Sequence, residues 1–411
     1  MSRSPSSTAR RVDPGTAPLP LDGIVVLDLS HVYNGPYATF LMAMAGARVI
    51  KAEPKGGEHL RSRGDSGGAA MAFAMLNSNK ESITLDLKSE DGKAILRKLV
   101  AKADVLVENF APGVMDRLVG GAKALLEINP RLIYASSSGY GSDGPYRNYP
   151  AMDLVMQAMS GVIAITGYPD QPPVKSGPAV CDFAAGTHLY GAVVTALFER
   201  ERTGKGRVVE VSMQDAIYAS MASNIGMNWA SGGKGPSRTG NRHGGLGISP
   251  YNVYACSDGY IVLNCPGDHH FRAALEVMGR PELADDPRFS TRSARVANML
   301  EVDSLIEDWS RSRCKHEVAK RLLDAGVPCA PVRELSEVMA DENMLARGSL
   351  QKIVHPQIGE VVLPHSPMRY LGSALRPLEP SHSLGADNAQ LLEELGYSPE
   401  EIDRVQRAGA I

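Results

Sequence analysis

Paired cysteine is the first thing that this sequence lacks. Its five cysteines, Cys181, Cys256, Cys265, Cys314 and Cys329, form no C-x-x-C motif and are odd in number. This scattered set predicts neither a disulfide framework nor a zinc site, and it favours a reducing compartment, the cytoplasm. The ten histidines form no H-E-x-x-H pattern, so no metal site is expected.

Long apolar runs and an excess of one charge are also missing. No apolar stretch approaches the roughly 18 residues that a membrane span needs. The 43 basic residues nearly balance the 46 acidic ones and leave a net charge of -3, so neither a membrane nor a nucleic acid is an expected partner. Residues 1–20 are rich in Ser, Pro and Arg and have no apolar signal segment, which predicts a disordered tail, with a transit peptide as the alternative.

What the sequence does contain is a regular alternation of strand and helix patterns. Apolar runs typical of strands buried on both faces recur between stretches with helical spacing. The predicted strands are Ile24–Leu29, Arg48–Ala52, Ser82–Asp86, Val105–Glu108, Leu132–Ala135 and Val208–Val211. This order predicts an α/β fold built on a parallel sheet with helices on both faces.

The predicted domain organisation follows from the length of the chain and from one change in amino-acid composition along it. A chain of 411 residues exceeds the usual size of one domain. We predict a large domain over 21–225, a Gly-rich linker over 226–247, a small α/β domain over 248–335 and a segment over 336–411 that returns to the large domain. The linker is predicted because SGGKGPSRTGNRHGGLG, residues 231–247, is too polar for a core.

One familiar motif in this sequence does not indicate a dinucleotide site. Residues 139–144, GYGSDG, match G-x-G-x-x-G after a predicted strand. A pyrophosphate needs a helix N-terminus directly after these glycines, but Pro145, Tyr146 and Asn148 continue a loop. No nicotinamide or flavin cofactor is therefore expected.

Two segments carry more specific chemistry. The first, SHVYNGP at 30–36, is a polar turn after the first predicted strand, and ligands of open α/β sheets gather at such strand ends. The second, SGPAVCDFAAG at 176–186, places Asp182 at or just before the start of a long predicted helix. Taken by itself, Asp182 is interpreted by default as an ordinary helix N-cap, which stabilises by about 1 kcal/mol.

Taken together, these blocks resemble CoA-transferase family III, which includes formyl-CoA transferases and carnitine-pathway CoA-transferases. The likeness runs from Leu21 to Ile411 and includes PLDGIVVLDLSHVYNGP, GARVIKAEPKGG, LNSNKESITLDLKSEDGK, DVLVENFAPGVMDRL, NPRLIYASSSGYGSDGPY and CDFAAGTHLYGAVVTALFERERTGKG. The resemblance implies a Rossmann-like large domain and a smaller α/β domain in an interlocked homodimer. It also implies an acyl-CoA and a carboxylic acid as substrates, with coenzyme A as a substrate rather than a cofactor.

The resemblance also implies roles for particular residues. Asp182 matches the family's nucleophilic aspartate, and Asp153 an acidic position that faces it. Positions expected to contact CoA or the substrate are His31, Tyr33, Asn34, Leu85, Asp86, Leu87, Lys88, Asn109, Phe110, Ala111 and Arg117. Gly244 and Gly245 belong to a glycine-rich segment that would close over the site.

Two positions bear on the choice among related functions. Formyl-CoA transferases carry an arginine over the adenine at the position of Pro54, so the adenine contact in this chain is open. α-Methylacyl-CoA racemases, the alternative function, carry a histidine at the position of Met152, and a thioether cannot take a proton near pH 7. A third interpretation of the sequence, based only on the α/β pattern, is a non-catalytic nucleotide-binding or scaffold protein. The sequence does not identify the acid pair.

Overall fold

The computed structural model describes residues 15, 17–63 and 68–411. Most of the predicted N-terminal tail, residues 1–14 and 16, lies outside these described residues. The strands in chain order are β1 Val25–Asp28, β2 Arg48–Glu53, β3 Lys80–Thr84, β4 Val105–Glu108, β5 Ile133–Ser138, β6 Arg207–Ser212, β7 Tyr251–Cys256, β8 Gly259–Asn264, β9 Cys329–Pro331, β10 Leu350–His355 and β11 Gly359–Pro364.

Helices fill most of the remaining described chain, together with two 3₁₀ segments at Ala219–Met221 and Pro281–Asp285. They are α1 Asn34–Met44, α2 His59–Ser62, α3 Ala69–Asn77, α4 Glu90–Lys102, α5 Val114–Val119, α6 Gly121–Ile128, α7 Asp153–Met159, α8 Val162–Ile165, α9 Val180–Thr203, α10 Met213–Tyr218, α11 Ala222–Ala230, α12 Asp268–Met278, α13 Arg292–Ala297, α14 Met299–Ser310, α15 Lys315–Asp324, α16 Leu335–Met339, α17 Glu342–Ala346, α18 Asn388–Glu394 and α19 Pro399–Arg407.

The chain divides into two compact units. The first contains the described residues up to 156, together with residues 179–217 and 341–411, and the second contains residues 157–178 and 218–340. The C-terminal segment therefore belongs to the same unit as the N-terminal strands. The Gly-rich stretch of residues 231–247 lies within the second unit.

A six-stranded parallel sheet organises the first unit, in the order β3-β2-β1-β4-β5-β6. Val26 of β1 pairs with Val49 of β2 on one side and with Val105 of β4 on the other. The chain thus winds outward in one direction from β1 to β3 and in the other from β4 to β6. The predicted α/β class with a parallel sheet is confirmed. The reversal between β1 and β4 leaves a crevice at the carboxyl ends of these strands, which is where such sheets bind ligands.

Helices cover both faces of this sheet because β1 is apolar on both sides. Val26 and Leu27 are both fully buried, but they belong to two different apolar cores. The core that contains Val26 is closed by α1 and α9, whereas Leu27 packs in the core of α4, α6 and the C-terminal helices α18 and α19. Alternate residues of one strand therefore anchor two helical layers.

Helix α9 is the longest of the described helices, and it carries Asp182 in its first turn. By length and hydropathy alone it would be able to cross a membrane, which is weak evidence for a span. It packs against α1, β5 and β6, as the core helix of a folded domain does.

The second unit is built on the three-stranded antiparallel sheet β7-β8-β9. Helices α12, α14 and α15 pack their apolar residues with Tyr254, Ile261 and Leu263 of the sheet. Strands β7 and β8 form an antiparallel hairpin, and β9 pairs with β8 as a third strand. Helices α13 and α14 are separated at Asn298, whose side-chain amide donates to the carbonyls of Arg288 and Ala294.

Candidate active site

A buried cluster of charges supports the turn that follows β1. Asp28, at the end of this strand, accepts from Lys80 Nζ at 2.9 Å and from the backbone amide of Ser30 at 2.9 Å. Lys51 Nζ donates to the Ser30 carbonyl at 2.8 Å. Burial works against ionisation of Asp28, but the two ammonium groups and the Ser30 and Thr39 hydroxyls hold its pKa well below its usual value. A buried network of charged groups therefore holds the start of the turn in place.

Asn109 and Glu58 fix the rest of this turn. The Asn109 side chain accepts from the His31 amide at 2.9 Å and donates to the His31 carbonyl at 2.8 Å, which ties β1 to β4. Glu58 Oε2 accepts from the Val32 amide at 3.1 Å. Val32 has φ of 66°, a strained conformation for a β-branched residue, and such strain persists only where neighbours hold it.

Asp182 lies at the third position of α9, and its surroundings oppose its charge. It is 9% exposed, and Asp153 Oδ1 accepts from the amides of Cys181 at 2.9 Å and Asp182 at 3.2 Å. Burial, with a further contribution from the Asp153 carboxylate, raises the pKa of Asp182 to about 7. A carboxylic acid with this pKa changes charge within the physiological range, which is typical of functional positions.

The expectation that Asp182 is an N-cap is wrong. The helix begins at Val180 and its N-cap is Ala179, which offers no side-chain acceptor. Asp153, from α7, supplies that acceptor, so the capping function belongs to a residue distant in sequence. The Asp182 carboxylate is therefore left available for other chemistry.

Beside Asp182 is a small cavity of about 100 Å³, which we call the aspartate cavity; its walls include His31, Asn34, Ser137, Met152, Asp153 and Asp182. Ser137 Oγ donates to the Val211 carbonyl at 2.9 Å, so it must accept from Asn34 Nδ2, 2.8 Å away. This fixes the orientation of the amide, and Asn34 Oδ1 is buried without a hydrogen-bond partner among the described residues. The residues around this cavity therefore include a carboxylic acid and an amide whose oxygen is buried and unpaired among the described residues.

A larger cavity of about 450 Å³ lies at the carboxyl ends of β1, β2 and β3, and we call it the strand-end cavity. Leu29, Leu85, Leu87, Phe110 and Leu118 supply its apolar walls, and Asp86 and Lys88 also line it. His31 lines both cavities, and its ring packs on Phe110 with centroids 5.2 Å apart. Burial, assisted by Lys51, lowers the pKa of His31 to about 4, so the imidazole between the cavities is neutral at pH 7.

Most of the site residues suggested by sequence meet around these two cavities. They are His31, Asn34, Leu85, Asp86, Leu87, Lys88, Asn109, Phe110, Asp153 and Asp182. Tyr33 instead stacks on Phe183, with ring centroids 6.0 Å apart. Ala111 lines a third cavity of about 410 Å³ next to Glu108, and Arg117 is exposed on α5.

Gly244 and Gly245 belong to the second unit, where the Gly245 amide donates to His243 Nδ1 at 3.1 Å.

Three residues near the site, Glu58, Ser137 and Glu108, were not predicted from the sequence. Each of them lies at or after the carboxyl end of a strand. Because ligands of open α/β sheets bind at these ends, that position could have identified them as candidate site residues. Burial raises the pKa of Glu108 to about 7, against hydrogen bonds from Phe110 and Tyr134.

Comparisons with known proteins agree on one family. The sequence profile of CoA-transferase family III matches residues 21–388. The chain is 42% identical over 356 residues to an acetyl-CoA:oxalate CoA-transferase from Acetobacter aceti, covering 86% of this chain and 90% of that protein. It is 36% identical over 414 residues to a formyl-CoA:oxalate CoA-transferase from Streptomyces avermitilis, covering 95% and 99% respectively.

A solved structure shares the fold as well as the sequence. The crystal structure of a CaiB/BaiF family protein from Brucella suis superposes with a TM-score of 0.81 at 36% sequence identity. The match covers 92% of this chain and all of that one.

Proposed function

Because this chain belongs to CoA-transferase family III, an enzyme family that transfers CoA between acyl-CoA and carboxylic acids, we propose that Asp182 carries the transfer covalently. The observation that supports this choice is the environment of Asp182. Its side chain is buried beside the aspartate cavity, and Asp153 accepts the helix amides that a capping Asp182 would otherwise accept.

The reaction proceeds by four exchanges at carbonyl carbons. The Asp182 carboxylate attacks the donor thioester, a C–O bond forms, the C–S bond breaks, and a mixed anhydride and CoA thiolate result. The thiolate attacks the Asp182 carbonyl, which expels the donor acid as a carboxylate and leaves an aspartyl-CoA thioester. The acceptor carboxylate then attacks this thioester and releases CoA thiolate, which takes the acceptor acyl group and restores the Asp182 carboxylate.

The raised pKa of Asp182 has two consequences for this chemistry. A more basic carboxylate is a stronger nucleophile, and burial keeps away the water that would hydrolyse the anhydride and thioester. The cost is that the acid form predominates below about pH 7. We therefore infer that the first chemical step gains rate as pH rises through 7.

The two cavities suggest how the donor lies. The aspartate cavity holds the thioester and the acid, and the strand-end cavity, lined by Leu85, Leu87 and Lys88, takes the opposite end of CoA. His31 separates them, neutral and without a hydrogen bond from its ring to any described residue. Arg117, exposed on the nearby α5, is our candidate for the CoA phosphates.

The small volume of the aspartate cavity favours short acids. A cavity of about 100 Å³ has room for a small acid, and the two relatives compared above are named for acetyl or formyl donors with oxalate as the acceptor. We therefore propose a short carboxylic acid for each half-reaction, with oxalate as the first acceptor to test.

Racemisation is the alternative reaction for such a site, and Met152 is the reason to reject it. This residue lines the aspartate cavity where a racemase needs a base, and its thioether does not accept a proton at neutral pH. We also propose an interlocked homodimer and a cytoplasmic location, in keeping with the family and with five free cysteines.

The test is to measure CoA exchange directly. The protein is incubated with acetyl-, formyl- or succinyl-CoA and a panel of mono- and dicarboxylates in deuterated buffer, and the products are identified by mass spectrometry. We expect a new acyl-CoA for at least one acid pair, without deuterium at the α-carbon. Deuterium incorporation without exchange would support the isomerase, and absence of both would contradict the proposal.

A further inference from the structure

Gly186 lies inside helix α9, one turn after Asp182, and it is buried. Glycine is unfavourable in the interior of a helix, because its backbone loses more conformational freedom on folding than that of any other residue. A buried glycine at such a position is explained by the close approach of another backbone. The same helix contains Gly191, which is exposed and has no neighbour among the described residues within 4 Å of the place that a β-carbon would take.

The neighbour of Gly186 is the first turn of α1. A β-carbon on Gly186 would lie 2.6 Å from the carbonyl oxygen of Asn34 and 3.3 Å from Cδ1 of the Tyr37 ring. Carbon and oxygen atoms that are not bonded to each other do not pack as closely as the first of these distances, so the Asn34 backbone occupies the space of the missing methyl group. The absence of a side chain at Gly186 therefore allows α1 and α9 to approach this closely.

Both sides of this contact are held in place by hydrogen bonds. At the start of α1, Asn34 Nδ2 donates to Ser137 Oγ at 2.8 Å. At the start of α9, the Asp182 amide donates to Asp153 Oδ1 at 3.2 Å. A larger residue in place of Gly186 would therefore have to displace one of two anchored elements by several tenths of an ångström, as overpacking does.

The contact bears on the reaction because Asn34 and Asp182 both line the aspartate cavity. Residues four apart on a helix lie on the same face, so the face of α9 that packs on α1 at Gly186 also carries Asp182. The separation of the two helices therefore sets the distance across the cavity in which the donor thioester is proposed to lie. Reacting atoms need to be about 3–3.5 Å apart, and a misplacement of about 1 Å can cost roughly 100-fold in rate.

We propose that Gly186 is a positioning residue of the transfer reaction: by admitting the Asn34 backbone, it holds the Asp182 carboxylate at attacking distance from the thioester. This inference rests on the proposed function, because it takes Asp182 as the nucleophile. Gly186 touches no substrate in this arrangement and acts only through the separation of α1 and α9.

The experiment compares Gly186→Ala with Gly191→Ala, using the acyl-CoA and acid that react in the parent protein. Each variant adds one methyl group to α9, but only the first places it against the Asn34 carbonyl. Gly186→Ala should lower kcat roughly 10- to 100-fold and leave KM for acyl-CoA within about threefold of the parent. The reason is that neither Asn34 nor Asp182 lines the strand-end cavity, which takes the remote end of CoA. Gly191→Ala, a surface change, should keep both constants within about twofold.

Urea unfolding separates this effect from a general loss of structure. Gly191→Ala should raise the urea midpoint, because alanine is the better helix former, and Gly186→Ala should lack this gain because its methyl group is strained against the α1 backbone. A variant that is unfolded in buffer is compared with the parent in trimethylamine N-oxide, which favours the folded state.

A folded Gly186→Ala protein that keeps the parent's kcat, or that changes only KM for acyl-CoA, would overturn the proposal. A variant that stays unfolded under both conditions would overturn it as well, since the contact would then serve the fold rather than the reaction. Absence of CoA exchange in the parent protein would instead refute the proposed function, and this inference with it.

Discussion

The Asp182→Asn substitution removes one buried negative charge and changes the shape of the side chain very little. It takes away the attacking anion, so CoA exchange should fall by several orders of magnitude, as for loss of a covalent catalyst. Capping is supplied by Asp153 and survives, so the fold should be retained. Activity and stability are therefore expected to move in opposite directions.

The size of the stability change follows from the pKa. Asp182 titrates near 7 in the folded protein against an ordinary value of 3.8, because of burial and then Asp153. A folded-state pKa above the unfolded one means that the folded protein loses stability as pH rises from about 4 to 7. The loss then stays constant at higher pH. This difference corresponds to up to about 4 kcal/mol. The asparagine variant should avoid this loss, and at pH 8 it should be more stable than the parent by roughly 2–4 kcal/mol.

The assay is urea unfolding followed by circular dichroism at pH 4.5 and pH 8, at one fixed protein concentration. The parent and variant curves should lie much closer at pH 4.5 than at pH 8. The matched control is Asp143→Asn, an exposed aspartate in a loop of the same unit, which should change neither stability nor rate appreciably. In the parent protein, kcat/KM should rise with pH through about 7 and then level off.

Chemical trapping completes this test. With acyl-CoA and no acceptor acid, hydroxylamine should modify the parent protein at Asp182, and peptide mapping should find the label there and in no other peptide. A variant with turnover within about tenfold of the parent would refute the nucleophile. A variant no more stable than the parent at pH 8 would refute the electrostatic reasoning, whatever its activity.

Three further predictions concern CoA anchoring, reaction type and assembly. Arg117→Ala should raise KM for acyl-CoA more than it lowers kcat, because a remote phosphate contact binds ground and transition states alike; steady-state kinetics showing the reverse would remove Arg117 from the CoA site. Met152→His should not create a racemase, because one imidazole without tuning neighbours is a poor base; deuterium exchange at the α-carbon, already in the parent protein, is the contrary result. Light scattering at micromolar concentration should give the mass of a dimer, and a monomer would exclude the interlocked arrangement.

Several features of this protein were readable from its amino-acid order. The continuous apolar run at β1 predicts a strand covered on both faces, and Val26 and Leu27 do enter separate cores. Strand-helix alternation predicts the parallel sheet because both patterns are local and periodic. Helix α19 was missed despite a local signal, the capping box of Ser398 and Glu401 with Pro399 at the first turn. Its helical stretch buries only Val405, so apolar periodicity could not reveal it.

The start of the helix that carries Asp182 could be located only from the tertiary structure. Asp182 looks like an N-cap in sequence because Asp is common there, but the cap is Asp153, 29 residues earlier. The residues next to Asp182 in the sequence also give no indication that its pKa is raised. That value depends on burial and on a second carboxylate brought close by α7, which are both properties of tertiary packing.

By itself, the sequence determined the α/β class, the family and the identity of most residues that line the site, because these depend on local periodicity and on motifs. The tertiary structure alone decided which polar atoms remain unpaired. Asn34 Oδ1 is identified as free only because Ser137, 103 residues away, is committed to Val211. Glu58 Oε1 likewise has no partner among the described residues, whereas Oε2 of the same carboxylate accepts from the Val32 amide. Hydrogen-bond saturation depends on every neighbour in space at once, so no local pattern in the chain encodes it.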